Sequence, residues 1–321
     1  MEYNLVPGRS VKIVSFLPSA TEVLFQLGLG SSVKARSHEC DFPSEVQNLP
    51  VASRSQLNAS EKSSSLHDSV WRCYADGKSH FEINVPLLES IEPDLVISQD
   101  TCSVCALTSA QVRRTVETLK DPPEVLALSA RDLDGVFGQI LDIGKATSSQ
   151  DRAQDLVRSL KERLDRVGRQ RPPRSAWPKT LYLEWFEPLL AGGDWAPEIL
   201  EWAGAVDAFG LPKGPSREVD WDSIERENPD AVLLGPCGWN LPRAIEEGEV
   251  LANEPRFGKL RAVSSGRCWV VDGKAYLSRS GPRLVDGAEV LAKVFHPDIY
   301  GVPPGPPSSI PWSEAYPPRG G

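Results

Sequence analysis

Apolar positions along this chain change period repeatedly, and the changes mark out elements. "VKIVSF" (11–16) is a short apolar run that reads as a buried strand, and "LPSATEVLFQLG" reads as a turn and a helix. In that helix Ser19 is the expected cap, with Glu22 three residues later completing a capping box and Gly28 as the stop. "SVKARS" predicts a second strand, and residues 50–80 are polar.

A repeated unit follows. "INVPLLESIEPDLVISQDTCSVCA" gives a helix, a Pro-Asp turn, the strand "LVIS" and a cysteine-bearing loop, and "VDWDSIERENPDAVLLGPCGW" (219–239) repeats that plan. Ile83 aligns with Val219, Val85 with Trp221, Leu88 with Ile224, and Pro93-Asp94 with Pro229-Asp230. Two copies so far apart indicate a duplicated domain, not a solenoid.

Between the copies, Ala153, Leu156, Val157, Leu160, Leu164 and Val167 recur at spacings of three and four, which predicts one long helix from about 132 to 168, closed by Arg171-Pro-Pro. The second half then reads as strand "TLYLEW", helix "APEILEWAG", the repeat, two polar helices between 240 and 262, strand "CWVVDG" and helix "GPRLVDGAEVLAKVF". The pattern predicts an α/β fold: two Rossmann-like lobes, residues 11–131 and 171–298, joined by a connector helix over 132–170. Residues 1–10 are an N-terminal extension, and 299–321 are too rich in Pro and Gly to be expected in a core.

Composition narrows the function. Lys and Arg number 35 against 44 Asp and Glu, a formal charge of −9, and no basic block stands outside 158–174, which excludes a nucleic-acid or anionic-membrane partner. The first 25 residues show neither a signal-peptide pattern nor an apolar run long enough to insert in a membrane, so the expected location is cytoplasmic. Cysteines 40, 73, 102, 105, 237 and 268 are then thiols, ligands or core fillers, not a disulfide framework. No G-x-G-x-x-G or P-loop pattern follows the first strand.

Ligands of open α/β sheets bind outside the carboxyl ends of the strands. That rule gathers the loops 17–22, 37–42, 98–106, 184–198, 235–239 and 276–283 around one expected interlobe cleft. Its ligand-binding candidates are Ser37, His38, Glu39, Asp41, Gln99 and Asp100 from the first lobe, with Trp185, Phe186, Trp195, Trp239, Tyr276 and Arg279 from the second. Indoles and a few directed polar groups suit a large, partly aromatic small molecule. His38, Cys40, Cys102, Cys105 and Cys237 are candidate metal ligands, because thiolate and imidazole suit zinc or an iron-containing centre. A thiol or metal enzyme in the same cleft is therefore the alternative to a binder, while Glu39 and Asp41 as an acid/base pair is disfavoured for adjacent loop carboxylates.

The ordered motifs "LPSATE", "SHECDFP", "EPDLVISQDTCSVCA", "NPDAVLLGPCG" and "SGPRLVDGAEVLA", spanning roughly 11–298, resemble the cobalamin-binding branch of the ABC-importer substrate-binding proteins. The resemblance implies binding without chemistry: two lobes on a rigid helical backbone holding a corrinoid such as cobalamin, another tetrapyrrole or a metal chelate. It also implies an acidic residue on each lobe for docking to a permease. Here Pro86 and Asp222 occupy those positions, so one contact is missing, which counts against docking; a cytosolic binder is the expected function, and an ABC-importer substrate-binding receptor is the further alternative.

Overall fold

Each half of the chain builds its sheet from short apolar strands that are buried on both faces, as a parallel sheet covered by helices requires. The computed structural model describes residues 11–58, 60–76, 79–101 and 107–317. They divide into two compact units, one of residues up to 60, 68–160 and 280–282, the other of residues 61–67, 161–279 and 283 onward.

In the first unit, strands β1 (Ile13–Ser15), β2 (Val33–Arg36), β5 (Leu95–Gln99) and β6 (Glu124–Leu128) form a parallel sheet in the order β2-β1-β5-β6. A separate antiparallel pair, β3 (Ser53–Ser55) with β4 (Phe81–Ile83), fills the polar region. Helices α1 (Pro18–Gln26), α2 (Ser63–Ala75), α3 (Val85–Ile91), α4 (Ser109–Val116) and α5 (Leu133–Ala146) follow the strands or connect them, with residues 63–67 of α2 assigned to the second unit. The core includes Val14, Phe16, Leu88, Val96 and Val112. At α1 the expected cap shifts: Pro18 opens the helix, Leu17 occupies the N-cap without a side-chain bond, and Ser19 lies buried inside the first turn. Proline at the first helical position, with its fixed φ, outcompetes the serine.

The second unit has β7 (Lys179–Trp185), β8 (Leu190–Ala191), β9 (Gly193–Asp194), β10 (Val206–Asp207), β11 (Leu211–Pro212), β12 (Arg217–Glu218), β13 (Ala231–Leu234), β14 (Cys268–Val271) and β15 (Ser309–Pro311). Its main sheet runs β12-β8-β7-β13-β14-β15, with β7, β13 and β14 mutually parallel. Its helices include α6 (Gln150–Gln170), which continues from the first unit, then α7 (Ala196–Trp202), α8 (Trp221–Glu227), α9 (Leu241–Glu247), α10 (Glu249–Ala252), α11 (Pro255–Lys259) and α12 (Arg261–Ser264). After β14 come α13 (Gly273–Tyr276), α14 (Arg283–Phe295), α15 (Pro297–Tyr300) and α16 (Trp312–Ala315).

The internal duplication appears bond by bond. Asn84 caps α3 on the Leu87 amide, and Asp220 caps α8 on the Ser223 amide. Leu88 and Ile224 are fully buried at the same place in their helices. Both helices end on a left-handed residue, Glu92 at φ 50° and Asn228 at φ 45°. Each chain then turns through Pro-Asp into a strand, and the aspartate clamps the strand beside it. The Asp94 carboxylate accepts the Lys12 amide at 2.8 Å while its own amide donates to Lys12 O at 2.8 Å. Asp230 makes the same pair of bonds to Lys179, at 3.0 and 2.7 Å. The clamp satisfies the first backbone groups of β1 and β7, which the ladder alone would leave unpaired.

Two expectations change. The helix foreseen over 132–168 is two helices, α5 and α6, separated at Thr147-Ser148-Ser149. Ser148 takes a left-handed conformation (φ 52°), the Ser149 amide returns to Gly144 O at 2.8 Å, and the Thr147 hydroxyl donates to Ile143 O at 2.7 Å. Hydroxyl side chains that satisfy nearby carbonyls compete with the helical ladder. The apolar stripe of α6 is nonetheless buried as foreseen, at Ala153, Val157, Leu160, Leu164 and Val167.

The Pro/Gly-rich tail also contributes to the core. Residues 309–311 pair antiparallel with β14, and the following Trp312 is buried against Phe257 at 5.0 Å between ring centres. Prolines are tolerated there because β15 lies at the edge of the sheet, where one side of the strand needs no partner.

Candidate functional site

In the first unit, the carboxyl ends of β2 and β5 carry Ser37, His38 and Gln99, Asp100. His38 Nδ1 lies 3.0 Å from the Ser53 hydroxyl on β3, its ring is 5.6 Å from Phe81, and Nε2 is 3.8 Å from a Glu39 carboxylate oxygen. The ring is thereby held at the edge of a recess lined by Phe16, Pro18, Ser37, Glu39, Ser53, Phe81 and Leu107. Ser37 is buried, and its hydroxyl accepts the Glu39 amide at 3.1 Å. Asp41 is half-buried beside them.

Two first-unit candidates hold the loops together. The Asp100 carboxylate accepts the Ser109 amide at 3.0 Å and its hydroxyl at 2.7 Å, fixing the start of α4. Gln99 is buried, and its side-chain oxygen accepts the Thr101 amide. Cys40 is 1% exposed, with Sγ 3.1 Å from the Thr21 hydroxyl and 3.4 Å from that of Ser37. Among the described residues no group of three or more His, Cys, Asp or Glu side chains is placed to hold a metal ion. Cys102 and Cys105 lie outside the described residues.

In the second unit, the loops after β7 and β13 bring two indoles together. Trp185 ends β7, Trp239 lies five residues after β13, and their rings are 4.6 Å apart at 39°. Trp185 Nε1 donates to Glu187 O at 3.0 Å, which pins its ring. The Arg243 guanidinium stands 5.1 Å from the Trp239 ring centre, a cation–π contact. Arg243 is itself fixed by Glu246 and Glu247, each at 2.8 Å, and by Glu61 O. Cys237 is half-buried in the same loop, its amide donating to Glu184 O at 2.9 Å.

The other second-unit candidates are more structural than the sequence suggested. Phe186 is 2% exposed and belongs to the core with Leu181, Val219 and Ile224, so it is not a stacking surface. Trp195 is buried, its indole N–H donating to Leu277 O at 2.6 Å, and it anchors the loop after β14. Tyr276 shares a 2.8 Å hydrogen bond with the Ser308 hydroxyl, tying α13 to the C-terminal segment. Arg279 is buried.

Arg243 escaped the sequence reading. Its signal was position: it stands four residues after Trp239, in the first turn of the helix entered from that loop, where a long cation reaches back over the ring.

Asp272 gives the site a pH dependence. Its carboxylate caps α13 on the Ala275 amide at 2.7 Å. Burial pushes its pKa above 3.8, outweighing the Ala275 bond and the neighbouring Arg283 and Arg279, which pull it down. The folded chain therefore binds this proton more tightly than the unfolded chain, and stability falls as pH rises from 3.8 through the raised value. Asp272→Asn keeps the cap and removes the charge. Its urea midpoint relative to wild type should rise as pH increases from acid to neutral; a relative midpoint that falls over that range reverses the argument.

What the arrangement offers is a tilted indole pair, Trp185 half-buried and Trp239 8% exposed, with one cation beside it in one unit, and an imidazole on a polar loop in the other. No acid/base pair is assembled there among the described residues.

The periplasmic binding protein family matches residues 13–275. An uncharacterized ABC transporter substrate-binding lipoprotein, YvrC of Bacillus subtilis (strain 168), is 28% identical over 297 residues, covering 90% of this chain and 81% of that protein. The vitamin B12-binding protein of Vibrio cholerae serotype O1 is 21% identical over 290 residues, 88% of each chain. The solved structure of a periplasmic heme-binding protein from Pseudomonas aeruginosa superposes with a TM-score of 0.69 at 19% identity, covering 93% of this chain and 96% of that one. The fold is thus the class III periplasmic-binding-protein fold of two α/β lobes joined by a long helix.

These relatives overturn the cytoplasmic placement: one is a lipoprotein and another periplasmic, so the N-terminal residues were a poor guide to location. No helix among the described residues is long and apolar enough to cross a membrane. With the family match spanning well over half its length, the chain belongs to the periplasmic binding proteins.

Proposed function

We propose that this chain is the extracytoplasmic substrate-binding receptor of an ABC importer, and that its ligand is a corrinoid or a heme-type tetrapyrrole. The observation that carries the proposal is the Trp185–Trp239 pair with Arg243 beside Trp239: the half-buried Trp185 ring is backed, at 4.6 Å and a 39° tilt, by the buried Trp239, with a fixed cation next to it. A planar macrocycle with carboxylate or amide substituents stacks on such a surface and meets a guanidinium at its edge. The names of the relatives that bind vitamin B12 and heme support the same ligand class.

α8 presents exposed Asp222 and Glu225, both engaged by Arg256, where α3 presents Pro86 and Glu89. The two acidic surfaces are unequal, and the proposal rests on ligand capture.

The test is thermal unfolding and equilibrium dialysis with cyanocobalamin and with hemin. A ligand at a hundredfold its Kd stabilises the folded state by about 2.7 kcal/mol, which raises the midpoint by roughly 5–10 °C. Trp185→Leu should weaken binding about tenfold while the apo midpoint moves little, since Trp185 is the partly exposed ring of the pair. If neither compound is retained on dialysis nor shifts the midpoint, the ligand class is wrong.

A further inference from the structure

A cavity of about 520 Å³ lies elsewhere in the second unit and shares no residue with the strand-end loops. Its walls come from α9, α10 and α11 on one side and from the C-terminal α16 on the other. Leu251, Phe257, Trp312 and Tyr316 supply its apolar surface, and Trp312 and Tyr316 stand 4.1 Å apart at 30°. The size falls in the range of small-molecule pockets, roughly 300–1,000 Å³.

Its charge is one-sided. Glu246 and Glu249 line the cavity, and among the described residues no lysine or arginine does. Glu246 is paired with Arg243, but Glu249 takes part in no ion pair among the described residues. The Tyr316 hydroxyl donates to Ile245 O, and its pKa is pushed up by burial first and then by Glu249 and Glu247. Electron-rich rings beside an uncompensated carboxylate attract a cation with an apolar body more than a neutral or anionic molecule.

We propose that this cavity is a second binding site, for a small organic cation of the aryl-alkylammonium class, held between the Trp312 and Tyr316 rings and the Glu249 carboxylate. It is independent of the tetrapyrrole reading. The aromatic wall exists only because residues 309–316 fold back onto the sheet, so the site links the order of the C-terminal segment to ligand binding.

The structure also supplies the blocking variant. Gly258 lines the cavity in α11 at an ordinary backbone angle, and a Cβ placed there meets no atom within 4 Å. Gly258→Leu therefore starts its side chain in open space at the cavity wall, narrows the cavity and is expected to fold.

The probe is benzyltrimethylammonium, with benzyl alcohol and benzenesulfonate as the neutral and anionic controls, titrated by calorimetry and by tryptophan fluorescence. The cation should bind saturably, and the neutral control about fivefold or more weaker, in line with a partly desolvated cation–π and carboxylate contact. Gly258→Leu should abolish binding at an unchanged or higher unfolding midpoint, and Glu249→Gln should weaken it several-fold while cyanocobalamin and hemin behave as with wild type. Benzyl alcohol or benzenesulfonate binding as well as the cation, no saturable binding of the cation, or full binding by folded Gly258→Leu would each overturn the proposal.

Discussion

Trp312→Ala is expected to lower stability by about 3–5 kcal/mol, the range for removing a large buried ring, and to lower the unfolding midpoint by roughly 10 °C. Trp312 is 8% exposed and stands edge-on to Phe257, which is itself 1% exposed. It shares a core with Leu251, Phe257, Cys268 and Val270. Truncation leaves a cavity that β14 and α11 cannot close, because both are held by their own ladders and caps. Removing everything after Tyr300 should cost at least as much, since it also strips β15 from the edge of β14. Circular dichroism melts of both variants decide the matter, and a loss below about 1 kcal/mol would mean that the segment lies on the surface without supporting it.

Gly273→Ala is the second large effect, expected at about 3 kcal/mol. A Cβ at residue 273 would stand 2.3 Å from Pro236 O and 2.5 Å from Gly235 O. Both obstacles are backbone atoms, so no side chain can swing aside. The helix cannot retreat easily either, because Lys274 N donates to Trp239 O at 2.9 Å and Gly238 N donates to the Ser278 hydroxyl at 3.1 Å. The strain therefore passes to the loop that carries Trp239, and binding of the tetrapyrrole should weaken along with stability. Gly258→Ala is the control: its Cβ meets open space, and helix propensity alone should make the change neutral or stabilising by up to about 1 kcal/mol. Equal behaviour of the two alanine variants would remove the packing argument.

Much of this architecture is readable from period and punctuation alone. Strands such as "LVIS" and "VLLG", the stripe of α6, and the duplicated Pro-Asp turn are local signals reinforced by burial, and each appears in the structure where the pattern places it. The misreadings share a cause. Trp312, Phe186 and Trp195 each sit in loop-like sequence, where composition reports flexibility or exposure, but burial is decided by whichever distant element completes the packing. β15 needed the unpaired edge of β14, and no residue near 309 announces that edge. The cysteines misled differently. Cys40 looks like a ligand because it adjoins His38, yet its thiol turns inward to Thr21 and Ser37. Location was the largest error, because the presence or absence of a leader pattern is a property of a few terminal residues and carries no information about the fold.

The paired aspartate clamps of Asp94 and Asp230 have a consequence for how such a receptor can change its ligand. Each clamp fixes its strand at the amino end, within its own unit, while the loops proposed to hold the ligand leave the opposite end. Framework and specificity are thus separated along the length of the same strand. One duplicated copy could acquire Trp239 and Arg243 while the other acquired His38, without either having to relearn how to fold. A chain built this way explores new ligands by exchanging loop residues on an inherited base.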